Sequence, residues 1–166
     1  MHISRLVAES ATRCSRETGR ITNIDDQSRG ALAFWDREKV QQALYSLLSN
    51  AVKYSEDHTT VLVSCVLDED RVRISVRDQG IGLNAEQAEH IFDAFYRADN
   101  STTRRTNGLG LGLYLCRRIA EAHDGSVHVH SQPGVGSEFI LILPGIQRDP
   151  LNVLPPAMSE ELLSTE

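Results

Sequence analysis

Residues 71–77, Arg-Val-Arg-Ile-Ser-Val-Arg, alternate between apolar and polar side chains without a break. A period of two marks a strand with one buried face and one wet face. Val61, Val63, Cys65 and Leu67 repeat that pattern just upstream, and the short link to Arg71 makes the two an antiparallel hairpin. A sheet that is wet on one side must bury its other side against a second layer. The chain supplies that layer with helical spacing: Ile3, Leu6, Val7, Ala11 and Cys14; Val40, Ala43, Leu44, Leu47, Leu48 and Ala51; and Leu111, Leu115, Ile119 and Ala122. The expected fold class is α/β, a two-layer sandwich with helices on one face of a sheet.

Punctuation residues set the boundaries. Asp36 is placed to cap a helix that runs to about Tyr54, and Asn84 with Gln87 forms a capping box for a short helix to about Phe92. Gly19 and Gly125 are placed to end helices. Two apolar pieces around Asp25-Asp26-Gln27-Ser28 predict a hairpin within 20–35, and strands over Val127–Ser131 and Glu138–Leu143 close the domain. Residues 97–108 have no apolar period, and a polar stretch of that length in a compact domain carries function or moves. Pro150, Pro155 and Pro156 break any pattern beyond Pro144, so 1–146 reads as one domain and 147–166 as a tail or linker.

Several classes are disfavoured. A net charge of −6 argues against a nucleic-acid partner. No apolar run approaches eighteen residues, so this segment makes no membrane contact, and its start lacks the layout of a secretory signal. Cys14, Cys65 and Cys116 have no metal or redox spacing, which reads as reduced, buried thiols in the cytoplasm.

Three clusters carry chemistry. Ser46, Asn50 and Lys53 are spaced by four and three, on one helix face beside the apolar stripe. An amide oxygen can ligate Mg²⁺, and an ammonium can meet a phosphate. Asp78-Gln79-Gly80-Ile81-Gly82 follows the strand 71–77 directly. Its carboxylate is a fixed acceptor suited to an exocyclic amine such as that of adenine, and its glycines allow close backbone approach. Gly108-Leu109-Gly110-Leu111-Gly112-Leu113 opens a helix, where bare N–H groups and the helix dipole form an anion cradle. Each cluster alone is ordinary: a solvated helix face, a strand-to-helix turn, a Gly-rich hinge. In this order they describe a purine-nucleotide site with a lid.

The motifs resemble the catalytic ATP-binding domain of sensor histidine kinases, the Bergerat or GHKL fold, over roughly residues 3–145. Residues Leu47 to Tyr54 resemble the N box, Asp78 to Leu83 the G1 box, Ile91 to Arg97 the F box and Gly108 to Leu113 the G2 box. The closing Gly134-Val135-Gly136-Ser137-Glu138-Phe139 and Leu143-Pro144 fit as well. The resemblance implies a mixed, mostly antiparallel sheet and binding of ATP with Mg²⁺. It implies that Asn50 holds Mg²⁺, Lys53 meets the phosphates, Asp78 accepts from the adenine amine, and Tyr54 packs near the base. Gly80 and Gly82 would shape the pocket floor. Phe92 and Phe95 would anchor the lid base, and Arg97 would reach the phosphates. Gly108, Gly110 and Gly112 would let the lid close, Leu109, Leu111 and Leu113 beside them would contact the nucleotide, and Arg104 and Arg105 would touch phosphate. The implied partners are a phosphoacceptor-histidine dimerisation domain and, downstream, a response regulator. The implied setting is cytoplasmic, with a full-length protein anchored in the inner membrane.

The chain departs from that pattern in three places. Ser46 stands where the kinases most often have Asn, which would leave Mg²⁺ held partly through water. In gyrase-like and Hsp90-like relatives that position is a Glu acting as general base. Serine cannot do that at neutral pH, which disfavours autonomous ATP hydrolysis. No histidine has the phosphoacceptor setting: His2, His58 and His90 precede Ile3, Thr59 and Ile91, and His123-Asp124 ends the helix opened by the Gly-rich segment. Asp124 replaces a common second Gly. Two other readings follow: a nucleotide-sensing module without phosphotransfer, and an anti-sigma-type serine kinase.

Overall fold

The computed structural model describes residues 1–20, 22–28, 30–98 and 109–147. In chain order it contains α1 (Ile3–Thr18), β1 (Thr22–Asp26), β2 (Leu32–Ala33), α2 (Arg37–Tyr54), β3 (Val61–Asp68) and β4 (Arg71–Arg77). There follow α3 (Ala85–His90), α4 (Gly112–Ala122), β5 (Ser126–Gln132), β6 (Gly136–Pro144) and β7 (Ile146–Gln147). Five strands form one mixed sheet in the order β1-β3-β4-β6-β5, antiparallel except where β1 meets β3. Helices α1, α2 and α4 pack on one face, giving the two-layer α/β sandwich.

The apolar periods explain the core. Val40, Ala43, Leu44, Leu47, Leu48 and Ala51 of α2 are fully buried, as are Val61, Val63, Cys65, Val72, Ile74 and Val76 of the sheet. The register sets Val63 opposite Val76, and Cys65 opposite Ile74. Each fully buried Val, Leu or Ile side chain contributes about 1.5–3 kcal/mol. Asp36 caps α2 by accepting from the Lys39 N–H at 3.1 Å. Asn84 and Gln87 form both bonds of a capping box on α3. All three cysteines are free and buried, and burial pushes the Cys65 and Cys116 thiols up to about 12. They stay protonated and unreactive at neutral pH.

The hairpin expected within 20–35 does not form. β1 instead runs parallel to β3, from Thr22 beside Val61 to Asp26 beside Cys65. A parallel pair needs a long crossover, and α2 supplies it. Asp26 turns the chain by accepting from the Ser28 N–H at 2.8 Å. The two residues of β2 then pair with β7 from the far end of the domain, in a small separate sheet. Residues 148–166 lie outside the described residues.

Helix α4 ends differently from expectation as well. The left-handed residue is Asp124, with φ 55°, and not Gly125. Gly125 is a glycine for another reason: a Cβ there would drive into the Ile142 carbonyl. Because αL costs a non-glycine residue about 1–2 kcal/mol, partly offset by glycine's unfolded-state entropy, Asp124→Gly should raise stability by up to about 1 kcal/mol. Gly125→Ala, which forces the backbone of β6 aside, should lower it by at least about 2 kcal/mol. Urea unfolding of the two variants checks both signs.

Candidate functional site

A cavity of about 390 Å³ opens between α2, the turn after β4 and the start of α4. Asn50, Lys53 and Tyr54 reach it from α2, Asp78 and Gly82 from the turn, and Arg97 with Leu109, Gly110, Leu111, Gly112 and Leu113 from either side of residues 99–108. Ser46 lines it too. Residues spread over more than sixty positions of sequence therefore share one space.

Asp78 is the most constrained polar group in it. The carboxylate is only 4 % exposed, and its Oδ1 accepts from the Gly80 N–H at 2.8 Å and the Ser137 N–H at 3.2 Å. Among the described residues no donor meets Oδ2, so that oxygen is left for a ligand. Burial holds the Asp78 carboxyl above the ordinary aspartate range, against the opposing pull of those two backbone bonds. The backbone around it is clamped by glycines. A Cβ on Gly80 would collide with the Tyr54 carbonyl, and one on Gly136 with the carbonyl of Asp78 itself. Gly82 combines φ +66° with the Gln132 carbonyl pressed against it.

The start of α4 has the opposite character. Among the described residues no side chain caps it, and its first turn carries no acidic residue, so its leading N–H groups and dipole favour an anion. Gly112 is not demanded by the protein's own packing: a Cβ there would sit 3.8 Å from Ser46, an ordinary contact. Ser46 donates its hydroxyl proton to the Gln42 carbonyl at 3.1 Å, which leaves its lone pairs free. Lys53 Nζ lies 5.1 Å from the centroid of the Tyr54 ring, a cation–π contact.

Not every expected residue lies in the cavity. Gly80 lines a shallower neighbouring hollow. Phe92 is buried behind the cavity wall, edge-on to Phe139 with ring centroids 6.1 Å apart, and Phe139 forms that wall. The Phe95 ring is 70 % exposed and lies away from the cavity. Its contribution is through the backbone: Phe95, at φ 64°, donates its N–H to the Gly110 carbonyl at 3.0 Å. That bond ties together the two ends of the segment 99–108. Gly110, at φ +71°, leaves no room for a Cβ against the Tyr96 carbonyl, 2.7 Å away. Gly108, Arg104 and Arg105 lie outside the described residues.

Other lining residues, Ser49, Ile81, Leu83, Ile91, Tyr96, Ser137 and Phe139, fall inside the motifs of the sequence without an assigned role, and Tyr45 and Ala98 fall outside them. Ser137 is the most consequential, because it binds Asp78 across 59 residues of sequence. The sequence marks it only through its place in the closing Gly134-Val135-Gly136-Ser137-Glu138-Phe139 stretch. The cavity thus offers a buried acceptor, apolar walls from Ile81, Leu83 and Phe139, and a cationic region from Lys53, Arg97 and the α4 N-terminus. That suits a flat molecule with an N–H donor and an anionic appendage. Among the described residues no helix is long and apolar enough to cross a membrane.

Comparison with known proteins agrees with this geometry. Residues 35–147 match the family described as histidine kinase-, DNA gyrase B-, and HSP90-like ATPase. The chain is 33% identical over 144 residues to the sensor-like histidine kinase SenX3 of Mycolicibacterium smegmatis, covering 86% of this chain and 38% of that protein. It is 36% identical over 110 residues to the sensor protein SrrB of Staphylococcus aureus, covering 66% of this chain and 19% of that one. The chain therefore spans well under half the length of these curated relatives. Among solved structures, the mycobacterial sensor histidine kinase MprB superposes with TM-score 0.77 at 23% identity, over 87% of this chain and 97% of that one. Full-length ShkA, solved in complex with AMPPNP, superposes with TM-score 0.76 at 28% identity, over 89% of this chain and 31% of that one. The chain belongs to the histidine kinase-, DNA gyrase B- and HSP90-like ATPase family, whose model matches residues 35–147.

Proposed function

We propose that this domain binds ATP with Mg²⁺ and presents the γ-phosphate to a histidine on a dimerisation domain not contained in the chain. A response regulator would then take the phosphoryl group from that histidine. The setting would be cytoplasmic, within a full-length protein anchored in the inner membrane. The observation that carries the reading is the convergence of Asp78 and Asn50, from separate elements, on one cavity.

Two features of the free protein fit the nucleotide. Among the described residues, Asp78 Oδ2 is a buried acceptor without a donor, as an exocyclic amine requires. Gly112 omits a side chain that the protein itself would accommodate, next to the uncapped helix start, as a phosphate requires. Asp78 would hold the adenine amine, Tyr54 would pack near the base, Asn50 would hold Mg²⁺, and Lys53 and Arg97 would meet the phosphates. When bound, ATP with Mg²⁺ supplies an activated phosphoryl group with its charge partly neutralised. The residues of this chain orient and neutralise and do no covalent work. Lys53 is already held at the cavity by the Tyr54 ring. Ser46 spends its proton on the helix backbone and is too weak a base to activate water, which favours transfer to histidine over hydrolysis.

Three outcomes follow. Asn50→Ala should lower Mg-dependent transfer to an added dimerisation domain about a hundredfold, the loss of about 3 kcal/mol typical of one well-placed electrostatic contact. Acid-labile label from radioactive ATP reads it, and near-normal transfer would reject Asn50 as the metal ligand. Asp78→Asn should weaken ATP binding about ten- to a hundredfold, through a buried donor facing a donor. The amine needs the ionised carboxylate, whose pKa is raised in the free protein and lowered again by the ligand. ATP affinity should thus be full at neutral pH and fall as pH drops through the region just above the ordinary aspartate value. Asp78→Asn should lose that slope. Gly112→Ala should unfold at the same denaturant concentration as the unaltered chain yet bind ATP at least about tenfold more weakly, a loss of about 1.4 kcal/mol.

A further inference from the structure

Ser131, on β5, is not in the cavity, yet it joins three parts of the wall behind Asp78. Its Oγ accepts from the Leu83 N–H at 2.7 Å, lies 3.0 Å from the Gly136 carbonyl and 2.8 Å from the Ser137 hydroxyl. A hydroxyl has one proton and two lone pairs. The Gly136 carbonyl has no proton, so Ser131 must spend its own there. Leu83 fills one lone pair of Ser131. The Ser137 hydroxyl must therefore donate into the other. That fixes the direction of the Ser131–Ser137 bond and saturates Ser131.

The consequence falls on Ser137. Its proton is committed backwards to Ser131, its N–H is committed to Asp78 Oδ1 at 3.2 Å, and it lines the cavity beside Asp78. Toward a ligand in that cavity its hydroxyl oxygen can therefore only accept. Asp78, which lines the same cavity, also only accepts when ionised. An exocyclic amine carries two N–H donors and suits two acceptors, whereas a carbonyl at the same ring position faces two lone-pair groups.

We infer that Ser131 is a positioning residue for base selection: it holds the Ser137 hydroxyl as an acceptor, so that the site takes a 6-amino purine and rejects a 6-oxo purine. This deepens the proposed nucleotide site and rests on it. Removing the Ser131 hydroxyl frees the Ser137 proton to turn into the cavity and meet a 6-carbonyl. The loss would then fall on discrimination, beyond any general loosening of the wall at Leu83.

The test compares ATP with inosine triphosphate, in which a carbonyl replaces the amine, by titration of the whole chain. For Ser131→Ala the preference for ATP should shrink about three- to tenfold, the scale of one neutral hydrogen bond. Ser131→Thr, which keeps a hydroxyl, should retain the preference of the unaltered chain. Ser137→Ala removes the acceptor but leaves the Ser131–Leu83 bond, and should lower affinity for ATP and not for inosine triphosphate. An equal loss for both nucleotides in Ser131→Ala, or an unchanged ratio in Ser137→Ala, overturns the inference and leaves the proposed nucleotide site standing. Failure of the unaltered chain to bind ATP removes the nucleotide reading itself and this inference with it.

Discussion

The site depends on one close approach, that of Gly80 to the end of α2. Ser55, just past that helix, forms an isolated antiparallel bridge with Gly80, and the Tyr54 carbonyl occupies the space a Cβ would need. A side chain at 80 would push the turn after β4 away from α2, and Asp78 away from Asn50 and Lys53. Gly136 over the Asp78 carbonyl and Gly82 against Gln132 secure the same turn from the β5–β6 side. Asp78 is thus held from three directions by backbone. A buried carboxylate short of donors is a costly arrangement, and it persists only where the surroundings over-determine it.

The charges follow a divided plan. The chain is acidic overall, yet the cavity receives Lys53, Arg97 and an uncapped helix start. Local field counts for more than net charge when an anion is bound at close range. Asp78, the one acidic side chain among the described residues lining the cavity, is raised in pKa by burial. Cys65 and Cys116 are also shifted by burial, but they sit in the apolar core away from the cavity and have no comparable opening to a ligand. A perturbed group becomes chemically useful where burial coincides with access.

The ends of the segment 99–108 illustrate how a backbone bond can do what a side chain seems placed to do. The family resemblance implies that Phe95 anchors the base of the lid. The ring is exposed, and the left-handed backbone at Phe95 aims its N–H at Gly110. Phe92 supports the cavity from behind through Phe139. Phe92 thus acts through its ring and Phe95 through its backbone.

Local pattern alone determined the layers. The two-residue period of 61–77 and the helical periods of α1, α2 and α4 each say which side of an element avoids water, and burial of those sides leaves one arrangement, helices on one face of a sheet. It also determined that Ser46, Asn50 and Lys53 share a face, since their spacing is a property of the helix. Tertiary structure decided what local pattern cannot encode. The pairing of β1 with β3 and of β2 with β7 joins distant segments, and any edge backbone with free N–H and C=O groups satisfies such a bond, so no side-chain period announces it. The partnership of Asp78 with Ser137, the true left-handed residue at Asp124, and the Ser131 hydroxyl behind the wall belong to the same class. Each is a contact between backbone or short polar groups far apart in the chain, made specific only once the core has brought them together.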